Sequence, residues 1–316
     1  MKYIDTLRDG MHVKDVYLCK GKTIALTKNG KEYGNILLQD KTGQIESKIW
    51  DLNNPGIGDF EAMDYVYAEG NVTVFNNANQ LNISRIRRAH EGEYTPADYF
   101  PVSSKDIGEM YQTLKKLILS MQNQYLQKLC KSFFIDDAEF AKRFCRHSAA
   151  KSVHHGFIGG LLEHTLSVTQ LCDLSASHYP FLKRDLLLTG AMLHDIGKTK
   201  ELSPFPTNEY TDAGQLLGHI VIGAQMADEH IRAIDGFPAK LHDEVIHLIL
   251  SHHGELEYGS PRKPALMEAL VLSFADNMDA KIETMYEALN AKPAQNPDGW
   301  VGFNKLLDSN IRKTVL

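Results

Sequence analysis

The hydrophobic pattern of this chain changes period once, near residue 105, and that change limits the architectures open to it. Before it, apolar and polar residues alternate in short runs separated by Gly, Asn and Asp. After it, apolar residues recur every three or four positions. A period of two is a strand with one buried face; a period near 3.6 is a helix with one buried stripe. The chain is therefore expected to be an α+β multidomain protein, a β domain followed by an all-helical one. Its 316 residues, 43% hydrophobic, suffice for about two domains with a core each.

Residues 13–20 and 23–28 read as two short strands divided by Gly21 and Lys22. Further runs lie at 33–39, 44–50, 63–75 (interrupted by Gly70) and 81–86. Within 44–50, Ile45, Ser47 and Ile49 alternate with Glu46, Lys48 and Trp50, so Trp50 and Ile49 face opposite ways. Five or so short strands with tight polar turns predict an OB-like β-barrel over residues 1–90.

A barrel of that kind holds a single strand with cations for the phosphates and flat rings for the bases. Segment 14–31 carries Lys14, Lys20, Lys22, Lys28 and Lys31 against Asp15 alone. Arg85, Arg87 and Arg88 form a second basic cluster, and Tyr33, Trp50 and Phe75 offer rings. The candidate strand-binding residues are Lys20, Lys22, Lys28, Lys31, Tyr33, Trp50, Phe75, Arg85 and Arg87. The plainer reading, solvated loop lysines and core aromatics, stays open. Net charge decides nothing in favour of nucleic acid: 34 Lys and Arg stand against 40 Asp and Glu, a balance of -6.

Residues 91–105, with two prolines, read as a linker, and 106–316 as the helical region, its core at about 158–285. One long helical pattern starts at Asp106 and runs to Leu129. Others are expected at 137–147, 158–178, 184–195, 215–234, 238–252 and 265–290. Twelve of the 14 histidines lie beyond residue 146. The most specific run is His194-Asp195-Ile196-Gly197-Lys198, which closes the apolar stretch 186–193. It predicts a buried helix ended by Gly197, with Asp195 a desolvated carboxylate that must meet a cation. His164, His219, His252, His253 and Asp276 each punctuate another apolar helix. A lone buried histidine is usually structural, but polar exceptions on several packed helices converge in the bundle core.

Imidazole and carboxylate groups without thiolate suit Mn, Fe, Co, Ni or Zn. Two such ions keep a positive balance against two aspartates, draw in a phosphate and acidify a bridging water. Lys198 is a candidate catalytic cation for a phosphate oxygen, or equally a surface lysine past a helix end. Arg262 and Lys263 could guide a polyanion or simply be solvated. His154 and His155 are expected at the cleft entrance rather than as ligands.

The order H…HD…H…HH…D resembles the HD phosphohydrolase superfamily. That resemblance implies His164, His194, Asp195 and Asp276 as first-metal ligands. It makes His219 and His252 the added histidines of the two-metal subset with Asp195 bridging, and His253 a further candidate. A barrel fused ahead of an HD domain resembles the YhaM-type 3′-5′ exoribonucleases of bacteria. The resemblance rests also on Leu38-Gln39-Asp40, Lys48-Ile49-Trp50-Asp51, Gly159-Gly160-Leu161-Leu162-Glu163-His164-Thr165, Ser251-His252-His253-Gly254 and Ala275-Asp276-Asn277-Met278-Asp279-Ala280. It implies a metal-dependent nuclease, with one or two divalent ions and Mn²⁺ first among them. Such an enzyme shortens single-stranded RNA, and to some extent single-stranded DNA, from the 3′ end.

Two other classes stay open: an HD phosphohydrolase of small nucleotides with the barrel as regulator or oligomerisation module, and a non-catalytic strand-binding protein. A cyclic-dinucleotide enzyme is disfavoured, because residues 254–261 lack a Gly-Tyr-Pro triad. The start MKYIDTLRDG lacks the apolar stretch of a secretory signal, and no run approaches a membrane span. Cys19, Cys130, Cys145 and Cys172 form no C-x-x-C pair and are expected as reduced thiols. A cytoplasmic enzyme without a membrane partner, and capable of homo-oligomers, is the resulting expectation.

Overall fold

The computed structural model describes all residues except 28, 77, 152–155, 292–297 and 315–316. It divides into two compact units, Met1–Pro101 and Val102–Leu316.

The first unit is a closed five-strand barrel: β1 (His12–Leu26), β2 (Glu32–Asp40), β3 (Gly43–Ile49), β4 (Tyr65–Phe75) and β5 (Ala78–Arg88). Its strand order is β1-β2-β3-β5-β4, with β3 and β5 parallel and the other pairs antiparallel. That is the OB-fold arrangement. The two short strands expected at 13–20 and 23–28 are one strand. Its first half pairs with β4 and its second with β2, and the register shifts between Cys19 and Gly21. The bulge bends one strand through both seams, which is how a small barrel closes. Gly70 does not break β4 either. It sits at another register shift, where a Cβ would lie 2.2 Å from the Asn82 carbonyl oxygen. Val13, Tyr17, Leu38, Ile49, Val66, Leu81 and Ile86 fill the interior. Residues 91–101 belong with the barrel: Tyr94 stacks on Tyr65 at 3.9 Å between centroids, and Tyr99 is buried.

The second unit contains α1 (Ile107–Leu119), α2 (Gln124–Phe134), α3 (Ala138–Arg146), α4 (Gly160–His178) and α5 (Arg184–Leu193). They are followed by α6 (Lys198–Glu201), α7 (Asp212–Arg232), α8 (Ala239–Ser251) and α9 (Met267–Ala291), then a hairpin of β6 (Trp300–Asn304) and β7 (Ser309–Arg312). The long helix expected from Asp106 is two. The Asn123 side chain accepts from the Tyr125 and Leu126 amides and starts α2, while Asp185 accepts from the Gln122 and Asn123 amides in the turn. Met121 stays buried, so the apolar period runs on through a break made by capping. α5 is buried along Leu186–Leu193, and α4 buries Leu161, Leu162, Leu166, Val168 and Cys172. These two helices form the floor on which the polar exceptions meet. All four cysteines are free and buried. Among the described residues, no helix is long and apolar enough to cross a membrane.

Candidate metal centre and nucleic-acid face

α5 ends at Leu193 with His194 as its C-cap, and the chain turns through 195–197 into α6. Gly197, expected to end the helix, lies three residues past the His194 cap, and its φ of -61° is ordinary. Its role is steric: a Cβ there would lie 2.0 Å from the His219 carbonyl oxygen. α7 meets this turn through a kink at Gly218, whose φ of 72° lies in the left-handed region. The missing Cβ and the kink together bring His219 over Asp195.

Asp195 faces two groups of side chains with its two oxygens. Oδ2 lies 3.3 Å from His194 Nε2, 3.6 Å from His164 Nε2 and 2.7 Å from Lys198 Nζ. Oδ1 lies 3.5 Å from His219 Nε2 and 3.8 Å from His252 Nε2. Asp276, on α9, places Oδ1 3.1 Å from His164 Nε2 and 3.9 Å from His194 Nε2. Two clusters result, each with one possible ligand atom per residue within 4.8 Å of the others: His164, His194 and Asp276, and His219, His252 and His253.

The five imidazoles are oriented alike. His194 Nδ1 lies 2.8 Å from the Ala191 carbonyl, His252 Nδ1 2.7 Å from that of Ile249, and His253 Nδ1 2.8 Å from that of Tyr258. Carboxylates do the same elsewhere: Asp279 stands 2.7 Å from His164 Nδ1, and Glu201 3.1 Å from His219 Nδ1. An acceptor on every Nδ1 fixes a hydrogen there and turns Nε2 inward, the usual outer support of a metal-binding histidine. Asp195 Oδ1, His219 Nε2 and His252 Nε2 are buried without a hydrogen-bond partner among the described residues. Three orphaned atoms aimed at one space are costly unless a cation fills it. The donor set therefore fits divalent metal, and the missing thiolate points to a harder ion than a structural zinc site selects.

Electrostatics agree. Burial alone would raise the Asp195 carboxyl, but Lys198 and His194 hold it well below the usual carboxylate range. Asp276 is likewise depressed against burial by its bond to His164. Burial opposes charge on His164, yet Asp276 and Asp279 raise it to about 10. Lys198 is raised by Asp195 against burial, so it stays an ammonium. His252 is pushed well below its ordinary value by burial, and His253 is lowered by burial and by His219. Without metal, the Asp276 and Asp279 carboxylates thus favour a charged His164, whereas burial disfavours charge on His252 and His253.

A cavity of about 420 Å³ opens beside this centre, lined by His164, Lys198, His253, Tyr258, Asp276 and Asn277, with Ala149 and Ala280. His154 and His155 lie outside the described residues. Arg262 is exposed and lines a different hollow with His247 and Lys263. Lys263 Nζ is 2.5 Å from Glu255. Glu201 and Asp279 carry the site without having been picked out from the sequence. Asp279 lies one helical turn after Asp276, a spacing that signals a shared face. Glu201 has no such signal, since it meets His219 only across the α6–α7 turn.

On the barrel, Tyr33 and Trp50 stack at 5.3 Å with 24° between their planes. Trp50 is 49% exposed, and its Nε1 donates to Asn82 Oδ1 at 2.8 Å. Lys48, two residues before Trp50 on the same outer face, lies over the Tyr33 ring at 5.4 Å and donates to Asn35. Lys31 pairs with Asp51 at 3.4 Å beside them. Phe75 is 60% exposed at the β4–β5 turn. Lys20 is half-buried and Arg85 exposed. Two further candidates are engaged inside the barrel unit. Lys22 donates to the Phe60 carbonyl at 2.6 Å, and Arg87 holds Glu93 through two bonds of 2.7 and 2.8 Å. Lys28 lies outside the described residues.

Residues 161–281 match the model of the HD domain family. Two curated relatives align with nearly the whole chain. A protein of Bacillus velezensis named 3′-5′ exoribonuclease YhaM is 37% identical over 293 residues, 90% of this chain and 90% of the relative. The protein of that name in Bacillus subtilis is 36% identical over 293 residues, again 90% of each. Among solved structures, the second OB-fold domain of replication protein A from Methanococcus maripaludis superposes with a TM-score of 0.23 at 16% identity. It covers 28% of this chain and 94% of that domain.

Proposed function

We infer the activity from a family assignment: the chain belongs to the YhaM 3′-5′ exoribonuclease family. It is a hydrolytic nuclease with an HD domain behind an OB-like barrel. The finer reading is that it removes nucleotides from the 3′ end of single-stranded RNA, with single-stranded DNA as a second substrate. In this reading His164, His194, Asp195 and Asp276 hold one divalent ion, and Asp195, His219, His252 and His253 hold a second. The observation that carries it is Asp195, whose two oxygens face two ligand clusters while Oδ1 and the Nε2 atoms of His219 and His252 lie buried and unpartnered. Manganese is the ion to test first; Co²⁺, Fe²⁺, Ni²⁺ and Zn²⁺ suit the same donors.

Bound ions would supply Lewis-acid charge for the phosphate and a water acidic enough to act near neutral pH. The protein supplies the rest. Lys198, kept charged by Asp195, adds a cation at the cavity wall. Tyr258 and Asn277 border the space where the terminal nucleotide would lie. On the barrel, the Tyr33–Trp50 pair offers faces for bases and Lys48 a charge for a phosphate, sequence-tolerant contacts suited to feeding many different strands. Buried reduced thiols fit a cytoplasmic setting.

The test is a 5′-labelled single-stranded RNA of about 20 nucleotides with Mn²⁺, with and without chelator, on the native chain and on Asp195→Ala. The expected result is a metal-dependent ladder descending from the 3′ end, absent in Asp195→Ala although that variant still binds RNA. Intact RNA with folded, metal-loaded protein would transfer the reading to a phosphohydrolase of small nucleotides. Undiminished cleavage by Asp195→Ala would remove the proposed centre.

A further inference from the structure

Helix α9 turns an apolar face to solvent. Between residues 267 and 286 its exposed side chains are apolar at every position but Asn277 and Lys281. Phe274 is 66% exposed, Ile282 62% and Tyr286 63%. A surface helix of a monomer carries charged and polar residues there. The inner face of α9 is already committed, since Ala269, Leu272 and Ala275 pack into the core and Asp276 and Asp279 point to the candidate metal centre. The outer stripe extends about 28 Å along the helix at 1.5 Å per residue.

The spacing of the stripe is close to symmetric about residue 276. Phe274 and Met278 lie at its middle. Leu270 and Ile282 follow four residues outward on either side, and Met267 and Tyr286 lie three and four residues beyond them. A second copy laid antiparallel, with a two-fold axis beside residue 276, sets Phe274 against Met278, Leu270 against Ile282 and Met267 against Tyr286. A two-fold interface needs such a self-complementary patch. Scaling whole side-chain areas by the exposed fractions gives on the order of 700 Å² per copy, against ~800 Å² per partner in a stable interface. It also stands at or above the upper end of the ~300–600 Å² of the largest patch on a typical monomer. The chemistry disfavours other occupants. A nucleic acid needs cations and the stripe offers only Lys281; a membrane-surface helix needs Lys or Arg along its flanks.

We propose that the chain forms a two-fold dimer through the outer face of α9, its partner a second copy with that helix antiparallel. The dimer places two helices that carry candidate-centre carboxylates back to back, so Asp276 and Asp279 of each copy sit on a helix braced from behind. The proposal is independent of the reaction assigned to the site.

Sedimentation of the full-length protein at micromolar concentration tests it. The expected species has twice the 35.5 kDa mass of one chain. Phe274→Asp combined with Ile282→Asp should weaken association by more than about 30-fold, the scale of losing central apolar anchors, with unchanged circular dichroism. Because both positions are exposed, the folded monomer should survive. A second variant fixes the register. Phe274→Cys with Met278→Cys should cross-link between copies under mild oxidation, and the four buried native thiols give little background. A monomeric native protein overturns the proposal, as does a dimer that persists in the double aspartate variant. A dimer lacking the cross-link overturns the antiparallel register.

Discussion

At the scale of single residues, the candidate centre is built less by its candidate ligands than by what stands behind them. Each of five histidines spends Nδ1 on an acceptor, so Nε2 points inward before any ion arrives. Three acceptors are backbone carbonyls, which no substitution removes. The other two are Asp279 and Glu201, and these can be tested. Glu201 bonds both the ring and the backbone amide of His219, at 3.1 and 3.0 Å. Glu201→Gln keeps the shape but lets the amide present either its oxygen or its nitrogen. It should lower divalent-metal affinity about 10- to 100-fold, read as metal content after dialysis against graded buffer, with the fold unchanged. Full metal retention would show that the kink at Gly218 alone sets the ring.

At the scale of elements, the helices are joined by polar clasps outside the core as well as by apolar packing. His242 at the start of α8 bonds Asp243 and reaches across to Asp228 of α7, both at 2.8 Å, and Arg232 holds the other Asp228 oxygen. Asp243 and Asp228 together raise the His242 pKa above its ordinary value. A raised folded-state pKa stabilises fully below the unfolded value of about 6.5, and the gain is lost as pH rises through the folded value. In chelator, His242→Asn should therefore lower the melting temperature most below about pH 6 and progressively less toward pH 8.5. The partial exposure limits the effect to roughly 0.5 kcal/mol. A difference constant across that range would mean that packing, not charge, makes the clasp.

At the scale of the whole molecule, one chain carries a proposed strand-holding surface and a proposed hydrolytic centre, and on that reading each should fail in its own way. Trp50→Ala removes half of the exposed ring pair and frees Asn82. Base stacking is worth about 1–3 kcal/mol, so KM for a 20-nucleotide strand should rise about 5- to 150-fold while turnover of dinucleotides stays level. Equal losses on both would mean that the barrel does not hold the substrate.

What the sequence determined by itself was whatever a local pattern carries. Alternation set Trp50 opposite Ile49, and apolar runs ending in His194 and Asp195, or in Asp276, marked buried polar groups that had to find one another. Element boundaries that depend on capping and pairing were not legible. The helical period runs unbroken from 107 to 129, yet Asn123 and Asp185 divide it. Likewise Gly21 reads as a strand break, yet pairing on both sides makes it a bulge. Only the tertiary structure brought Glu201 to His219, stacked Tyr33 on Trp50 and engaged Lys22 and Arg87 within the barrel. Among the described residues, it also left the outer apolar face of α9 exposed. The physical reason is range: periodicity reports which side of an element is buried, whereas a partner, a bulge or an unfilled face depends on what packs there from elsewhere in the chain.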